Sequence, residues 1–218
     1  MTALNRWLLA LLLTAAVVVV CYLWIDRPLA LLAHAYNAHR ETFARLTHIP
    51  DLLNPFAATA FVAFGLWVLA GRPMTKIVAA GALSSISLIV AEATKSQLKF
   101  VFGRCWPDTW VQNNPSFIHD GTYGFNFFHG GPGYASFPSG HMAATCAVIS
   151  VLWIMYPYWR PLYGAIVLAV AVGLIGANYH FLGDVIGGGF VGTSTGWMTV
   201  AIWRARQTSA VPPKAGEA

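Results

Sequence analysis

Residues 138–159, PSGHMAATCAVISVLWIMYPYW, and residues 180–203, HFLGDVIGGGFVGTSTGWMTVAIW, decide how this chain is read. Each opens on a compact polar cluster. Each then runs on without Asp, Glu, Lys or Arg, apart from Asp184, for close to the ~20 residues that cross a bilayer core. The two heads contribute Ser139, Gly140, His141, His180 and Asp184. Ionisable groups at membrane depth are costly and need a partner or a function.

The rest of the chain fits a membrane setting. Of 218 residues, 57% are hydrophobic and 10% charged, where a soluble domain carries roughly 25% charged residues. Six uncharged runs approach spanning length: Trp7–Ile25, Leu52–Ala70, Ile77–Ala91, His141–Trp159, Leu162–Tyr179 and Val185–Trp203. The third is short and is expected to continue as helix through Glu92, Lys95 and Lys99, whose long side chains reach an interface or a polar cavity. The first run has no small-x-small cleavage site after it and reads as a retained span. The expected fold is all-α: one domain over residues 1–218, a six-transmembrane-helix bundle. Asp26–Asp51, with Leu29, Leu32, Ala33 and Tyr36 at helical spacing, is expected to lie as an interfacial helix. Arg104–Phe137 is a long outer loop between spans 3 and 4, rich in aromatics that serve either as an interfacial belt or as a lid or acyl-chain groove.

Charge and small residues add orientation and packing. With the N-terminus inside, the cytoplasmic segments hold Arg6, Arg72, Lys76, Arg160, Arg204, Arg206 and Lys214, with Glu217 their one acid. This favours both termini in the cytoplasm. The basic residues are scattered and form no block, so the pI of 9.3 does not indicate nucleic-acid binding. Cys21, Cys105 and Cys146 have no metal-ligand spacing and suggest no disulfide framework. Gly188, Gly192 and Gly196 recur every fourth residue and permit close helix approach, within the bundle or, alternatively, between the two copies of a homodimer.

In this topology Lys99, Arg104, the Ser139-Gly140-His141 turn and the His180/Asp184 pair converge on the outer face. Ser139 after Pro138 can cap a helix whose free N–H groups bind phosphate. His141 in the first turn is placed to donate a proton beside that anion. The bland alternative is a cap with an interfacial histidine. His180 and Asp184, four apart, share a helical face. A carboxylate on one imidazole nitrogen fixes the tautomer and frees the other to attack; a helix-stabilising pair is the alternative. Lys99 and Arg104 supply positive charge for phosphate oxygens, unless they only snorkel to headgroups.

These residues resemble the type 2 phosphatidic acid phosphatase (PAP2) superfamily. Its pattern is Lys, six residues, Arg-Pro; then Pro-Ser-Gly-His; then Ser-Arg, five residues, His, three residues, Asp. Lys99, Pro107, Pro138–His141, His180 and Asp184 match it, over residues 90–200. Trp106 stands where the family has its first arginine, and Gly173-Leu174 where it has Ser-Arg. Arg104, two residues before Trp106, is expected to reach the same pocket by extended geometry, and Asn178 to donate a neutral hydrogen bond near the second vacancy. The resemblance implies a phosphatase needing no metal or cofactor and acting on a lipid phosphate or diphosphate. By carry-over His180 is the nucleophile, Asp184 orients it, His141 protonates the leaving group, and Lys99, Ser139 and Gly140 hold the phosphate. It leaves open a lipid phosphotransferase and a catalytically degenerate relative that binds or moves a lipid. A serine protease built on Ser139 and His180 would leave the cations idle. The compact form suggests a bacterial inner membrane with the site facing the periplasm.

Overall fold

A computed structural model of the chain describes residues 1–36, 39–51, 53–110 and 113–209. The described chain is all helix and connecting loop. α1 (Ala3–Val20) passes through a wide turn at Cys21–Ile25 into α2 (Asp26–Ala35). Two short helices follow, α3 (Arg40–Leu46) and α4 (His48–Asp51). Then come α5 (Asn54–Leu69), α6 (Lys76–Phe102), the short α7 (Phe117–Asp120), α8 (Gly140–Met155), α9 (Arg160–Gly176) and α10 (Leu182–Ser209).

α8 is the centre of the bundle. Its residues 142–147 are all buried, and most are small. That lets α10 lie directly on it. A Cβ at Gly188, Gly192 or Gly196 would collide with the Ser139 carbonyl, the Ala143 carbonyl or the Ser150 hydroxyl respectively. The glycine stripe is therefore filled by a contact inside the chain, as its spacing suggested. Ser87 of α6 donates to the Ala147 carbonyl at 2.9 Å and lies 3.2 Å from the Thr195 hydroxyl, tying α6, α8 and α10 together. Apolar layers lie along α8. Met142 and Cys146 pack with Val170, Leu174 and Val185 near its start. Val151 and Met155 pack with Ala79, Ala80, Leu83 and Val200 near its end.

The expected six-span bundle is corrected by the helix lengths. Among the described residues four helices are long and apolar enough to cross a membrane: Ala3–Ala35, Lys76–Phe102, Pro157–Gly176 and Leu182–Thr208. The two runs that fall short are the apolar helices Ala57–Leu69 and Gly140–Met155. α8, at 16 residues, is about 24 Å long, short of a ~30 Å core. It stops because Tyr156 leaves helical geometry (φ −130, ψ 68) ahead of Pro157, which turns the chain into a 3-10 turn. α5 is bounded by Pro55 at its start and by Gly71 at φ 66 beyond its end. An uncharged run is thus longer than the helix it contains. The interfacial helix is corrected too: Asp26–Ala35 continues α1 as one 33-residue helix. α6 continues through Glu92, Lys95 and Lys99 as expected. Leu52, Lys214 and Glu217 lie outside the described residues.

The outer-loop aromatics divide between two cavities. Phe125, Phe127 and Phe137 help line an apolar cavity of about 660 Å³ between α1, α6 and α10, which holds no acid, base or histidine. Trp106 and Trp110 line a second, polar cavity of about 340 Å³. The smaller one holds the histidines and lysines.

Gly192→Ala should lower thermal stability in detergent, by about 1–3 kcal/mol, because the carbonyl of Ala143 cannot move aside. Gly65→Ala, where the added Cβ meets open space, should not.

Candidate active site

The polar cavity is built from five parts of the chain. α6 supplies Lys95 and Lys99, the start of α8 supplies Gly140 and His141, and the turn between α9 and α10 supplies Tyr179 and His180. Thr47, His48 and Asp51 form one wall, and Trp106 and Trp110 another. Local rules place each group. Ser139 is the N-cap of α8, its hydroxyl accepting from the Met142 N–H at 3.4 Å. Its own N–H donates to the Asp184 carbonyl at 3.0 Å, which locks the start of α8 to the start of α10. At Gly140 a Cβ would sit 2.8 Å from the Lys95 ammonium, so that ammonium lies directly over the first turn of α8. Lys95 also pairs with Glu92 at 2.7 Å. A helix N-terminus with two lysines above it is an anion-binding arrangement.

Behind the cavity lies a buried polar cluster. Asp184 is fully buried. Its Oδ1 accepts from Arg104 Nη1 at 2.6 Å. Its Oδ2 accepts from the Ser136 hydroxyl at 2.6 Å and the Phe181 N–H at 3.0 Å. His180 Nδ1 is 3.6 Å from that same Oδ2, too long for a good hydrogen bond. It is 3.4 Å from the Ser136 hydroxyl oxygen. Ser136 therefore bridges the pair: its oxygen faces the imidazole while its proton goes to Asp184. Burial pushes the pKa of His180 below its ordinary 6.5, to about 4, although the nearby carboxylate of Asp184 pulls the other way. The ring is thus neutral at neutral pH.

His141 has its own carboxylate. Its Nε2 lies 3.1 Å from Asp51 Oδ1, and Asp51 Oδ2 lies 3.1 Å from His48 Nδ1. The cavity therefore joins two His–Asp pairs, one buried and one half-exposed.

The structure brings His180, His141, Gly140, Lys99 and Trp106 together on the cavity, with Asp184 and Ser139 immediately behind. Arg104 and Asn178 are not among the lining residues. Arg104 points away from the cavity, and its guanidinium is held at 2.6 Å by Asp184 on one side and by Asp26 Oδ2 on the other. Burial opposes its charge, but the two carboxylates outweigh this and raise its pKa above the usual guanidinium value. The expectation that it serves the same pocket as Trp106 is corrected. Gly103 ends α6 at φ 53, where an L side chain is strained, and Arg104 and Trp106 then bridge to different backbone partners. Asn178, itself at φ 58, donates to the Ala30 carbonyl at 3.0 Å. Trp106 lies against the candidate histidine instead, ring centroids 5.1 Å apart, with Lys99 Nζ 5.5 Å from its centroid. Leu174 lies in the apolar layer around Met142, so a cation there would face the core.

Sequence reasoning missed Ser136, Asp26 and Asp51. It reads Lys95 as a snorkelling cation or a partner of Glu92, and the Glu92 pair is present. Ser136, two residues before Pro138, and Asp26, an acid at the end of an apolar run, were the available signals. Among the described residues no group of three or more His, Cys, Asp or Glu is placed to hold a metal ion.

The family model described as the PAP2 superfamily matches residues 80–208. A lipid A 1-phosphatase from Rhizobium johnstonii is 24% identical over 199 residues, 84% of this chain and 75% of that protein. The crystal structure of a transmembrane PAP2 type phosphatidylglycerolphosphate phosphatase from Bacillus subtilis superposes with a TM-score of 0.61 at 19% identity. That match covers 92% of this chain and 96% of the other.

The buried imidazole sets a pH expectation. A histidine signal assigned to His180 by its loss in His180→Ala should titrate near pH 4 in NMR of the detergent-solubilised protein, not near 6.5. Because the unfolded chain takes up that proton first, stability should fall as pH drops from about 6.5 towards 4.

Proposed function

The chain belongs to the PAP2 superfamily, and from that premise we propose that it is an integral-membrane phosphatase that removes a phosphate from a lipid through a phosphohistidine. The observation that carries the reading is the meeting of His180, His141, Lys95 and Lys99 on one cavity over the first turn of α8. The names of the two relatives, a lipid A 1-phosphatase and a phosphatidylglycerolphosphate phosphatase, support a lipid phosphate as the substrate class.

In this reading the phosphate rests over the Gly140 N–H between Lys95 and Lys99, which offset its charge and the charge that develops in transfer. With Nδ1 engaged by Ser136 and Asp184, Nε2 of His180 is the nitrogen left to attack phosphorus. The P–N bond forms as the P–O bond to the lipid breaks, and His141 gives its proton to the departing oxygen. Asp51 stabilises the protonated form of His141 between turnovers. Water then attacks the phosphohistidine, His141 takes a proton from it, and inorganic phosphate leaves with the P–N bond broken. No step calls for a metal ion. The site faces the periplasm of a bacterial inner membrane, with both termini cytoplasmic.

One observation favours a second reading, a silent relative that binds lipid: among the described residues no arginine lines the cavity. The deciding assay is phosphate release in EDTA from phosphatidic acid, phosphatidylglycerol phosphate, a polyprenyl diphosphate and a phosphorylated saccharolipid. The phosphatase should release phosphate from at least one, be inhibited by vanadate, and fall to background in His180→Ala. Release that persists in His180→Ala rules the mechanism out, and folded wild type with no release selects the silent relative.

The lysines give a separate expectation. Lys99→Ala or Lys95→Ala should weaken vanadate inhibition about ten-fold or more, the worth of one charged hydrogen bond. Unchanged inhibition in both would remove them from the phosphate cradle.

A further inference from the structure

Asp26 is the most unusual residue in the buried cluster. It lies on the first helix, far outside residues 80–208 that match the family, yet its side chain is fully buried against Arg104. Its Oδ2 accepts from Arg104 Nη2 at 2.6 Å. Its Oδ1 accepts from the N–H of Gly183 at 3.0 Å, the peptide next to Asp184. Arg104 is boxed in by rings, with Phe181 at 4.4 Å and Phe125 at 4.9 Å from its carbon to their centroids. Tyr123 accepts from Nη2 at 3.3 Å and donates to the Tyr22 carbonyl at 2.6 Å. Neither Asp26 nor Arg104 lines the cavity. The pair therefore acts on whatever Asp184 does, and on nothing that enters the site directly.

The charge count explains why a second carboxylate is there. Arg104 facing Asp184 alone would make a neutral pair. Asp26 converts it to two carboxylates on one guanidinium, with one net negative charge beneath His180. When Nε2 of His180 takes up phosphorus, its ring becomes positive and needs that charge. Resting on the phosphohistidine reading above, we propose that Asp26 is a positioning residue of the reaction: it holds Arg104 against Asp184 and offsets its charge, so that His180 works above a net negative cluster.

A charge-balance experiment tests this. Asp26→Asn keeps the shape and an acceptor but removes one negative charge. It should lower kcat about ten- to a hundred-fold, the size of one lost charge-assisted hydrogen bond, with KM within about two-fold of wild type. Adding Arg104→Gln restores the net charge of minus one, so the double variant Asp26→Asn/Arg104→Gln should recover part of the lost kcat. A purely structural role predicts the reverse, a double variant worse than the single.

The second readout is the NMR titration of His180, which does not depend on turnover. His180 is faced by Lys95 and Lys99 from α6, His141 from α8, His48 and Asp51 from α4, and Asp184 from α10, and the variants change none of these. The midpoint should fall in Asp26→Asn and return towards the wild-type value in the double variant. No shift in Asp26→Asn, or a double variant further from wild type than the single, overturns the proposal. Wild type without phosphate release would instead overturn the phosphatase reading, while the titration still decides whether Asp26 acts on His180.

Discussion

One buried carboxylate organises this protein. Asp184 has no exposure to solvent, and a lone ionised group in that position would not be tolerated. Its partners come from everywhere in the chain: Arg104 after α6, Ser136 before α8, the Phe181 peptide at the α9–α10 turn. Even its backbone carbonyl is used, by the N–H of Ser139. Satisfying this one residue therefore fixes the start of α8 relative to the start of α10, and both relative to the end of α6. The cavity is what remains on the open side of that arrangement. Site and fold are in this sense one construction, because removing a single partner leaves an uncompensated charge in the bundle centre.

The glycine stripe is the steric half of the same constraint. Asp184 can reach its partners only if α10 lies on α8 at backbone distance, and Gly188, Gly192 and Gly196 allow that approach. The small residues Ala143 and Ala147 meet them from the other side. The polar clasp at one end and the close packing along the rest reinforce each other.

What could be read in the sequence divides along the same lines. Ser139, Gly140 and His141 declare themselves because the reading needs only local rules: a cap and a first turn. His180 and Asp184 are neighbours as their spacing suggested, but the shared helical face is corrected: His180 lies in the bend before α10, which begins at Leu182. Lys99 follows from helix continuation. Ser136, Asp26 and Asp51 do not, because their partners lie far away in sequence; Arg104 and Asp26 are 78 residues apart. Regular extended alternation before Pro107 would bring Arg104 to the pocket that Trp106 lines. The backbone there makes isolated bridges to Phe125, Ala135 and Ser116 instead, so alternation does not apply. The number of spans went wrong for a different reason. An uncharged run limits how long a helix is free to be, whereas Pro55, Gly71 and Pro157 decide where it ends.

The first helix adds a mechanical consequence. At 33 residues it is about 50 Å long, while its uncharged stretch Trp7–Ile25 matches a ~30 Å hydrocarbon core, and Asp26 follows directly after that stretch. Asp26 rides on the upper part of that lever, and it grips the guanidinium that braces the carboxylate behind His180. A bilayer thicker or thinner than the uncharged stretch tilts or shifts the helix, and through Asp26 and Arg104 it bears on the position of Asp184.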